Sequence, residues 1–263
     1  LSEFLNKRLY IIETQLFITY FMLSYHMKKN ALIISGNGGI GLALVKKLLQ
    51  ENFSVVATYR SEKKSKDLIS LKNENLKLKE CDPLKEDDLI KLKKQCPKLD
   101  LLINCVGTLE FDGYTPEKSL RDIDLKQLEK YFLINSFLTP LIGKVFREHF
   151  NKNSKFVVLS AKVGSIEDNR LGGWYGYRAS KAALNMFLKN IHIEFKRSRK
   201  DICVLSIHPG TTETNLSQNF LENFNLKVHK PHESANNIYN VIYSKGLSES
   251  GKFFSWDGEE LPW

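Results

Sequence analysis

The sequence lacks the cysteine and histidine patterns that build disulfide frameworks and metal sites. Its four cysteines are Cys81, Cys96, Cys105 and Cys203. They are far apart and form no C-x-x-C pair, so we expect reduced thiols and a cytoplasmic protein. Among the histidines, His229 and His232 flank Pro231, which argues against a shared helical face for metal binding. The sequence therefore predicts no metal site.

A hydrophobic run long enough to cross a membrane is also missing. The apolar stretch at residues 16–25 is about half a membrane span, with Glu13 and Gln15 at its start and no small-residue cleavage site after it. We interpret residues 1–27 as an extension outside the fold, with a peripheral helix as the alternative. No membrane partner is expected.

Acidic residues are outnumbered, with 30 against 39 basic residues and a net charge of +9. Such an excess fits either a polyanionic partner or a lysine-rich solvated surface. Only residues 196–200 form a tight basic run, and no aromatic residues are interleaved with it to stack on bases. We expect a solvated helix end there and no nucleic-acid partner.

Strand and helix patterns alternate from residue 28 to the end of the chain. Seven short apolar runs predict strands, at residues 31–35, 54–59, 76–79, 99–105, 155–160, 202–207 and 251–255. Helical patterns lie between them, including residues 120–150, where Pro140 should introduce a kink, and residues 174–197. Nearly continuous apolar strands indicate a parallel sheet that is covered on both faces. We predict the α/β class, with residues 28–263 as a single doubly wound Rossmann-type domain and about seven parallel strands.

A glycine-rich turn joins the first strand to the first helix. It consists of Ser35, Gly36, Asn37, Gly38, Gly39, Ile40 and Gly41. Glycines let the backbone approach a pyrophosphate closely, and the N–H groups and dipole at the helix start attract that anion. A plain strand-to-helix turn is the alternative, but the position of the turn favours dinucleotide binding.

A tyrosine and a lysine, Tyr177 and Lys181, stand four residues apart in a helical stretch and so share one face. A free phenol has a pKa of about 10, and a nearby ammonium stabilises the phenolate. The phenol can then donate a proton to a carbonyl or remove one from an alcohol. An exposed helix face is the alternative. Tyr175 is set aside because Ala179 stands four residues after it.

These motifs resemble those of the short-chain dehydrogenase/reductase family in their order along the chain. Gly39, Ile40 and Gly41 match the end of its Gly-x-x-x-Gly-x-Gly fingerprint, where Ser35 replaces the first glycine and can still turn. Further matches are Asp82 after the third strand, Asn104-Cys105-Val106-Gly107 after the fourth, Tyr177 with Lys181, and Pro209-Gly210 with the residues that follow. Residues 172–181 and 256–263 are similar to the C-factor-like, sniffer-type carbonyl reductase branch.

The resemblance implies a nicotinamide cofactor and the residues that contact it. They are Ser35, Gly36, Asn37, Gly39, Ile40, Gly41, Tyr59, Arg60, Asp82, Asn104, Gly107, Tyr177, Lys181, Pro209, Gly210, Thr212 and Thr214. An NAD site usually presents an acid at the end of the second strand, whereas this sequence has Arg60 just beyond it, next to Ser61. We therefore expect NADP, with NAD as the alternative, since Arg60 can also be a loop residue that pairs with Glu62.

The resemblance also implies two further catalytic roles. Asn135 matches the helix asparagine that links the lysine to a water relay, with an ordinary polar helix residue as the alternative. The serine that holds the substrate carbonyl is absent, because the family's Ser-Ser-x-x-Gly begins here with Ser160 and Ala161. We favour Ser160 as the replacement and keep Ser165 as the other candidate.

Two functions are compatible with these observations. The first is an NADP(H)-dependent oxidoreductase that interconverts a carbonyl and an alcohol on a small molecule, with residues 216–231 as a lid. The second is a non-catalytic nucleotide-binding regulatory protein on the same fold, which Ala161 permits. A homodimer or homotetramer is expected from the apolar stripe of one helix, although the same stripe must also pack on the sheet. The stripe is formed by Leu184, Phe187, Leu188 and Ile191.

Overall fold

Seven parallel strands form the central sheet of the protein in a computed structural model that describes residues 28–219 and 227–263. The strands are β1 (Asn30–Ile34), β2 (Ser54–Tyr59), β3 (Leu76–Glu80), β4 (Leu99–Asn104), β5 (Phe150–Leu159), β6 (Ile202–His208) and, after two short strands outside the sheet, β9 (Lys252–Ser255). Their order in the sheet is β3-β2-β1-β4-β5-β6-β9. The predicted doubly wound parallel sheet is confirmed. The predicted extension, residues 1–27, lies outside the described residues.

Helices cover both faces of the sheet. They are α1 (Gly39–Gln50), α2 (Lys66–Ile69), α3 (Glu86–Gln95), α4 (Leu125–Phe132), α5 (Leu138–Phe146), α6 (Tyr175–Arg197) and α7 (Pro231–Ser244). One core cluster contains apolar residues of α1 and α7, and a second contains those of α3, α5 and α6. Because each strand sends alternate side chains to the two clusters, the buried parts of the central strands are largely apolar.

The strand order reverses between β1 and β4, which makes this the switch point of the sheet. Loops that leave the carboxyl ends of neighbouring strands in opposite directions open a crevice there, and ligands of open α/β sheets bind in it. The glycine-rich turn follows β1, and Cys105 to Gly107 follow β4. The topology therefore brings two of the motifs to one crevice.

The helix predicted at residues 120–150, with a kink or an irregularity at Pro140, is divided into several segments and is shorter than predicted. A short 3-10 helix (Leu120–Asp122), α4, a π-helical segment (Leu133–Phe137) and α5 follow one another there, and β5 begins at Phe150. Pro140 has no N–H to donate to the carbonyl of Ser136, so a regular α-helical ladder is interrupted at this turn. The irregularity expected from Pro140 therefore takes the form of the wider helical turn just before it.

Two short strands, β7 (Thr211–Thr212) and β8 (Val228–His229), form a second small sheet beyond the end of β6. β8 lies within the predicted lid, residues 216–231, and β7 precedes that segment. Leu216, Ser217 and Lys227 lie on the wall of a cavity that Tyr177 also lines. Residues 220–226, the middle of that predicted lid, lie outside the described residues.

Candidate active site

The turn after β1 needs glycine at two positions, because a side chain at either one would come too close to neighbouring atoms. A Cβ at Gly41 would lie 2.2 Å from the carbonyl oxygen of Ser35, and one at Gly39 would lie 2.6 Å from Cγ2 of Thr214. Ser35 itself has a φ of 65°, in the left-handed region that favours glycine, which explains why glycine suits this position. Its backbone N–H donates to Thr58 Oγ1 at 3.0 Å.

The start of α1 is suited to an anion. No side chain caps it, and its first turn contains no acidic residue. The N–H groups and the positive end of the helix dipole therefore keep their capacity for a phosphate. These features fit a dinucleotide, with its phosphates at the glycine-rich turn.

Tyr177 and Lys181 lie in the first two turns of α6, and both are buried. The ammonium nitrogen of Lys181 is 5.9 Å from the ring centre of Tyr177 and donates to the carbonyl of Leu159 at 3.1 Å. Burial lowers the pKa of Lys181 to about 8. Burial, with a smaller contribution from Tyr131, raises the pKa of Tyr177 above its ordinary value. The phenol is therefore protonated at neutral pH, as a proton donor must be.

Asn135 lies in the π-helical segment and is buried. Its Oδ1 accepts from the backbone N–H of Thr108 at 2.8 Å, and its Nδ2 donates to Thr108 O at 3.0 Å and to Ser180 Oγ at 3.1 Å. A Cβ at Gly107 would lie 3.4 Å from Lys181 Nζ and 3.7 Å from Asn135 Oδ1. The structure thus brings the loop after β4, the π-helical segment and the lysine together.

The two candidate serines have different environments. Ser165 Oγ donates to the carbonyl of Trp263 at 3.2 Å and accepts from the N–H of Asp168 at 3.1 Å, so it anchors the end of the chain. Ser160 lines the same cavity as Tyr177, whereas Ser165 does not. Ser160 Oγ is buried and has no hydrogen-bond partner in the described part of the chain. Ala161 packs against the aromatic cluster that contains Tyr177.

One cavity of about 640 Å³ joins Tyr177 and Ser160 to part of the predicted cofactor site. Its wall includes Ile40, Ser160, Ala161, Tyr177, Pro209, Gly210, Thr212 and Thr214. It also includes His208, Trp174 and Trp256, to which the sequence analysis gave no role in the site. A signal for His208 was available, because it ends β6 directly before Pro209, and carboxyl ends of parallel strands line the sites of such sheets.

Three predicted cofactor residues use their side chains within the protein. Asn104 accepts from Val106 N at 3.1 Å and donates to Thr139 Oγ1 at 3.4 Å, so its amide shapes the loop after β4. Asp82 accepts from Leu84 N at 3.2 Å in the turn after β3. Asn37 donates to the carbonyl of Lys64 at 3.3 Å.

Tyr59, Arg60 and Thr212, which were also predicted to contact the cofactor, lie at the ends of strands or just beyond them. Tyr59 ends β2 and is partly buried, and Arg60 after it is exposed. Gly36 N donates to Thr58 O at 2.8 Å, which ties the glycine-rich turn to β2. Thr212 Oγ1 shares a hydrogen bond of 2.7 Å with Ser234 Oγ.

The described ranges, 28–219 and 227–263, contain no group of three or more His, Cys, Asp or Glu side chains placed to hold a metal ion. Within the same ranges, none of the helices is long and apolar enough to span a membrane.

The sequence pattern that defines the short chain dehydrogenases matches residues 29–224. The chain belongs to the short-chain dehydrogenase family. It is therefore an oxidoreductase. The 1-hydroxy-2-glutathionyl-2-methyl-3-butene dehydrogenase of Rhodococcus sp. (strain AD45) is 30% identical over 173 residues, which are 66% of this chain and 72% of that protein.

Solved structures of carbonyl reductases share the fold of this short-chain dehydrogenase. The carbonyl reductase Sniffer of D. melanogaster superimposes with a TM-score of 0.79 at 24% identity, over 90% of this chain and 100% of that one. The NADPH-bound carbonyl reductase from chicken fatty liver gives a TM-score of 0.78 at 24% identity, over 90% and 99% of the two chains. At these identities the likeness concerns the fold.

Proposed function

We propose that this short-chain dehydrogenase is an NADP(H)-dependent oxidoreductase that interconverts a carbonyl and an alcohol on a small molecule, with Tyr177 as the acid/base. One observation carries the proposal. Tyr177 lies on the wall of a cavity that Ile40 of the glycine-rich turn and the Pro209-Gly210 segment also line, and Lys181 is one turn further along the helix. The proposed proton donor and the proposed cofactor site therefore share one cavity.

A reduced nicotinamide bound in this crevice would supply the hydride. Tyr177 donates its proton to the substrate oxygen as negative charge develops there. The ammonium of Lys181 stabilises the phenolate that remains, because an opposite charge close by favours the charged form. In the reverse direction the phenolate accepts the proton of the alcohol.

Asn135 supports the lysine from the side of the loop after β4. One lone pair of its Oδ1 is taken by Thr108 N, and an amide oxygen has a second. That second lone pair can accept from a water that also hydrogen-bonds to Lys181, which lies close to Gly107 on the same side. This arrangement supports the proposed proton relay. Of the two candidate serines, Ser160 is the one that lines the cavity with Tyr177, which favours it over Ser165 for a role in the site.

NADP is the proposed cofactor because β2 ends without an acidic residue. Arg60 follows Tyr59 at that end, is exposed, and pairs with no carboxylate of the described residues, Glu62 included. Its guanidinium is therefore available for a 2′-phosphate, whose oxygens it matches in geometry. Two of the solved relatives in fold are bound to NADPH or NADP.

We propose a homodimer or homotetramer that associates through the outer face of α6 and the π-helical segment. Leu184 and Leu188 of the expected apolar stripe are buried in the core. The exposed apolar side chains on this side are instead Leu133, Phe137, Met186 and Ile193. Exposed apolar side chains on two neighbouring segments favour association. Light scattering at micromolar concentration should give a multiple of the chain mass, and the mass of one chain would exclude the assembly.

The regulatory alternative rests on Ala161, which replaces the expected catalytic hydroxyl. Measuring NADPH binding and NADPH oxidation in parallel, against a panel of aldehydes, ketones and diones, separates the two functions. Binding with turnover of at least one carbonyl supports the oxidoreductase. Binding without turnover of any would favour the regulatory protein. Because all four cysteines are free thiols, a cytoplasmic location stays our prediction.

A further inference from the structure

The substrate oxygen needs more hydrogen-bonding than Tyr177 alone provides. Charge develops on that oxygen during hydride transfer, and donors fixed in position around it lower the barrier. Ala161 packs against the cluster of Tyr177, but a methyl group offers no donor. The cavity wall must therefore supply the second donor from another residue.

His208 and Ser160 lie side by side at the ends of neighbouring strands. In the register of β5 and β6, Leu159 is paired with Ile207, and Ser160 N donates to Ile207 O at 2.8 Å. Leu159 and Ile207 both point into the first core cluster. Successive side chains of a strand alternate, so Ser160 and His208 point to the opposite face, where α6 lies. Ser206, on the same side of β6 as His208, donates to Asn185 of α6 at 2.8 Å.

Each of these two neighbours contains a buried polar atom that has no hydrogen-bond partner among residues 28–219 and 227–263. They are Ser160 Oγ and His208 Nδ1. Buried polar atoms are normally paired, and leaving one unpaired is unfavourable. Both residues line the cavity together with Tyr177. The strand register therefore places the two unpaired groups next to each other at the cavity wall, where a small rotation of the side chains can pair Ser160 Oγ with His208 Nδ1 and leave Nε2 for a ligand.

The imidazole is neutral under ordinary conditions. Burial, and next the positive charge of Lys162, lower the pKa of His208 to about 4. Lys181 and His229 act in the same direction, and Asp257 opposes them. A neutral imidazole has one N–H and one acceptor nitrogen. If the Ser160 hydroxyl donates to Nδ1, the proton of the ring resides on Nε2.

We propose that His208 donates its Nε2–H to the substrate oxygen in place of the hydroxyl missing at Ala161, and that Ser160 positions it by donating to Nδ1. His208 is then a catalytic residue and Ser160 a positioning residue. This inference rests on the proposed carbonyl reduction and adds the second donor to it.

Matched substitutions test the two nitrogens of His208 separately. The amide nitrogen of glutamine reaches close to the position of Nε2, whereas that of asparagine reaches only to Nδ1. We expect His208→Ala to lower kcat/KM on the order of 10²-fold, with most of the loss in kcat. His208→Gln should recover a part of this loss, and His208→Asn should not. NADPH affinity and melting temperature, measured for each variant, separate these effects from misfolding.

Restoring the missing hydroxyl gives the most direct check. The double variant Ala161→Ser, His208→Ala should regain roughly tenfold in kcat over His208→Ala, because serine then supplies the donor. For Ser160, threonine keeps the hydroxyl and valine has the same shape without it. Ser160→Val should lower kcat by roughly tenfold, and Ser160→Thr should retain most of it.

The outcomes distinguish this inference from the proposed function. If His208→Ala reduces carbonyls at the wild-type rate while Tyr177→Phe does not, the role of His208 is wrong and the oxidoreductase stands. Equal rates for His208→Gln and His208→Asn would also overturn it. If the wild-type protein reduces no carbonyl, both proposals fail together.

Discussion

The two carboxylate oxygens of Glu117 accept the backbone N–H of Gly176 at 3.3 and 3.2 Å, in the first turn of the helix that contains Tyr177. This helix, α6, begins after Trp174, whose backbone is left-handed and whose side chain does not cap it. Glu117 is 2% exposed and belongs to a loop far away in sequence. A carboxylate that is remote in sequence therefore accepts from an N–H that the local sequence leaves unpaired. Its negative charge also interacts favourably with the positive end of the helix dipole.

Removing this carboxylate should destabilise the fold. We expect Glu117→Ala to lower the free energy of unfolding by about 1–3 kcal/mol, because a buried N–H loses its partner. Urea denaturation measures the change. The exposed Glu129 of α4 provides the control, since Glu129→Ala should change little. Equal unfolding midpoints for Glu117→Ala and the wild type would contradict the capping role.

Cofactor binding should depend on Gly41 and not on Gly38. A Cβ at Gly41 would lie 2.2 Å from a backbone oxygen, whereas at Gly38 the nearest atom would be 3.7 Å away, in ordinary contact. We expect Gly41→Ala to weaken NADPH binding roughly 10–100-fold by distorting the turn. Gly38→Ala, the matched control, should bind NADPH almost as the wild type does. Fluorescence titration measures both, and equal affinities of the two variants would count against the phosphate site.

The burial of Lys181 should be visible in the pH dependence of stability. Its pKa is about 8 in the folded protein, below its ordinary value of 10.5. Between these values the unfolded chain binds the proton and the folded chain does not, so this residue's contribution to stability rises with pH. Relative to Lys181→Met, the wild type should gain up to about 3 kcal/mol from pH 8 to 10.5. Denaturation of both proteins across this range tests it, and a constant difference would contradict the buried lysine.

Arg60 should decide between the two nicotinamide cofactors. Arg60→Ala removes a guanidinium that matches a 2′-phosphate. We therefore expect NADPH affinity to fall roughly 10–100-fold. NADH affinity should remain the same, because NADH has no phosphate there. Titrating both cofactors against both proteins measures the ratio. Equal or tighter NADH binding by the wild type would refute the preference for NADP.

Local patterns were sufficient to predict the sheet and the Tyr177–Lys181 pair. Strands buried on both faces are apolar throughout, and residues four apart on a helix share a face whatever surrounds them. Features that depend on residues distant in sequence were not predictable in this way. Ser165 is hydrogen-bonded to the carbonyl of Trp263, and Glu117 is hydrogen-bonded to the N–H of Gly176. No spacing of residues in the sequence indicates either contact.

The environment of Asn135 was also not predictable from local sequence patterns. The helical pattern places Asn135 on a helix, but its geometry there results from the π-helical turn before Pro140. That turn directs the amide to Thr108 and Ser180. The role that we propose for His208 depends likewise on a contact between distant segments, because the paired ends of β5 and β6 bring it beside Ser160.

The assignment of Tyr177 as proton donor is tested most directly by Tyr177→Phe. The substitution removes one hydroxyl and keeps the ring that packs against Tyr131 and Trp174. NADPH oxidation with the best carbonyl of the panel should fall roughly 10²–10⁴-fold, because a positioned acid contributes that much to the rate. NADPH affinity should stay at the wild-type value. Reduction of the same substrate by Tyr177→Phe at the wild-type rate would contradict the account.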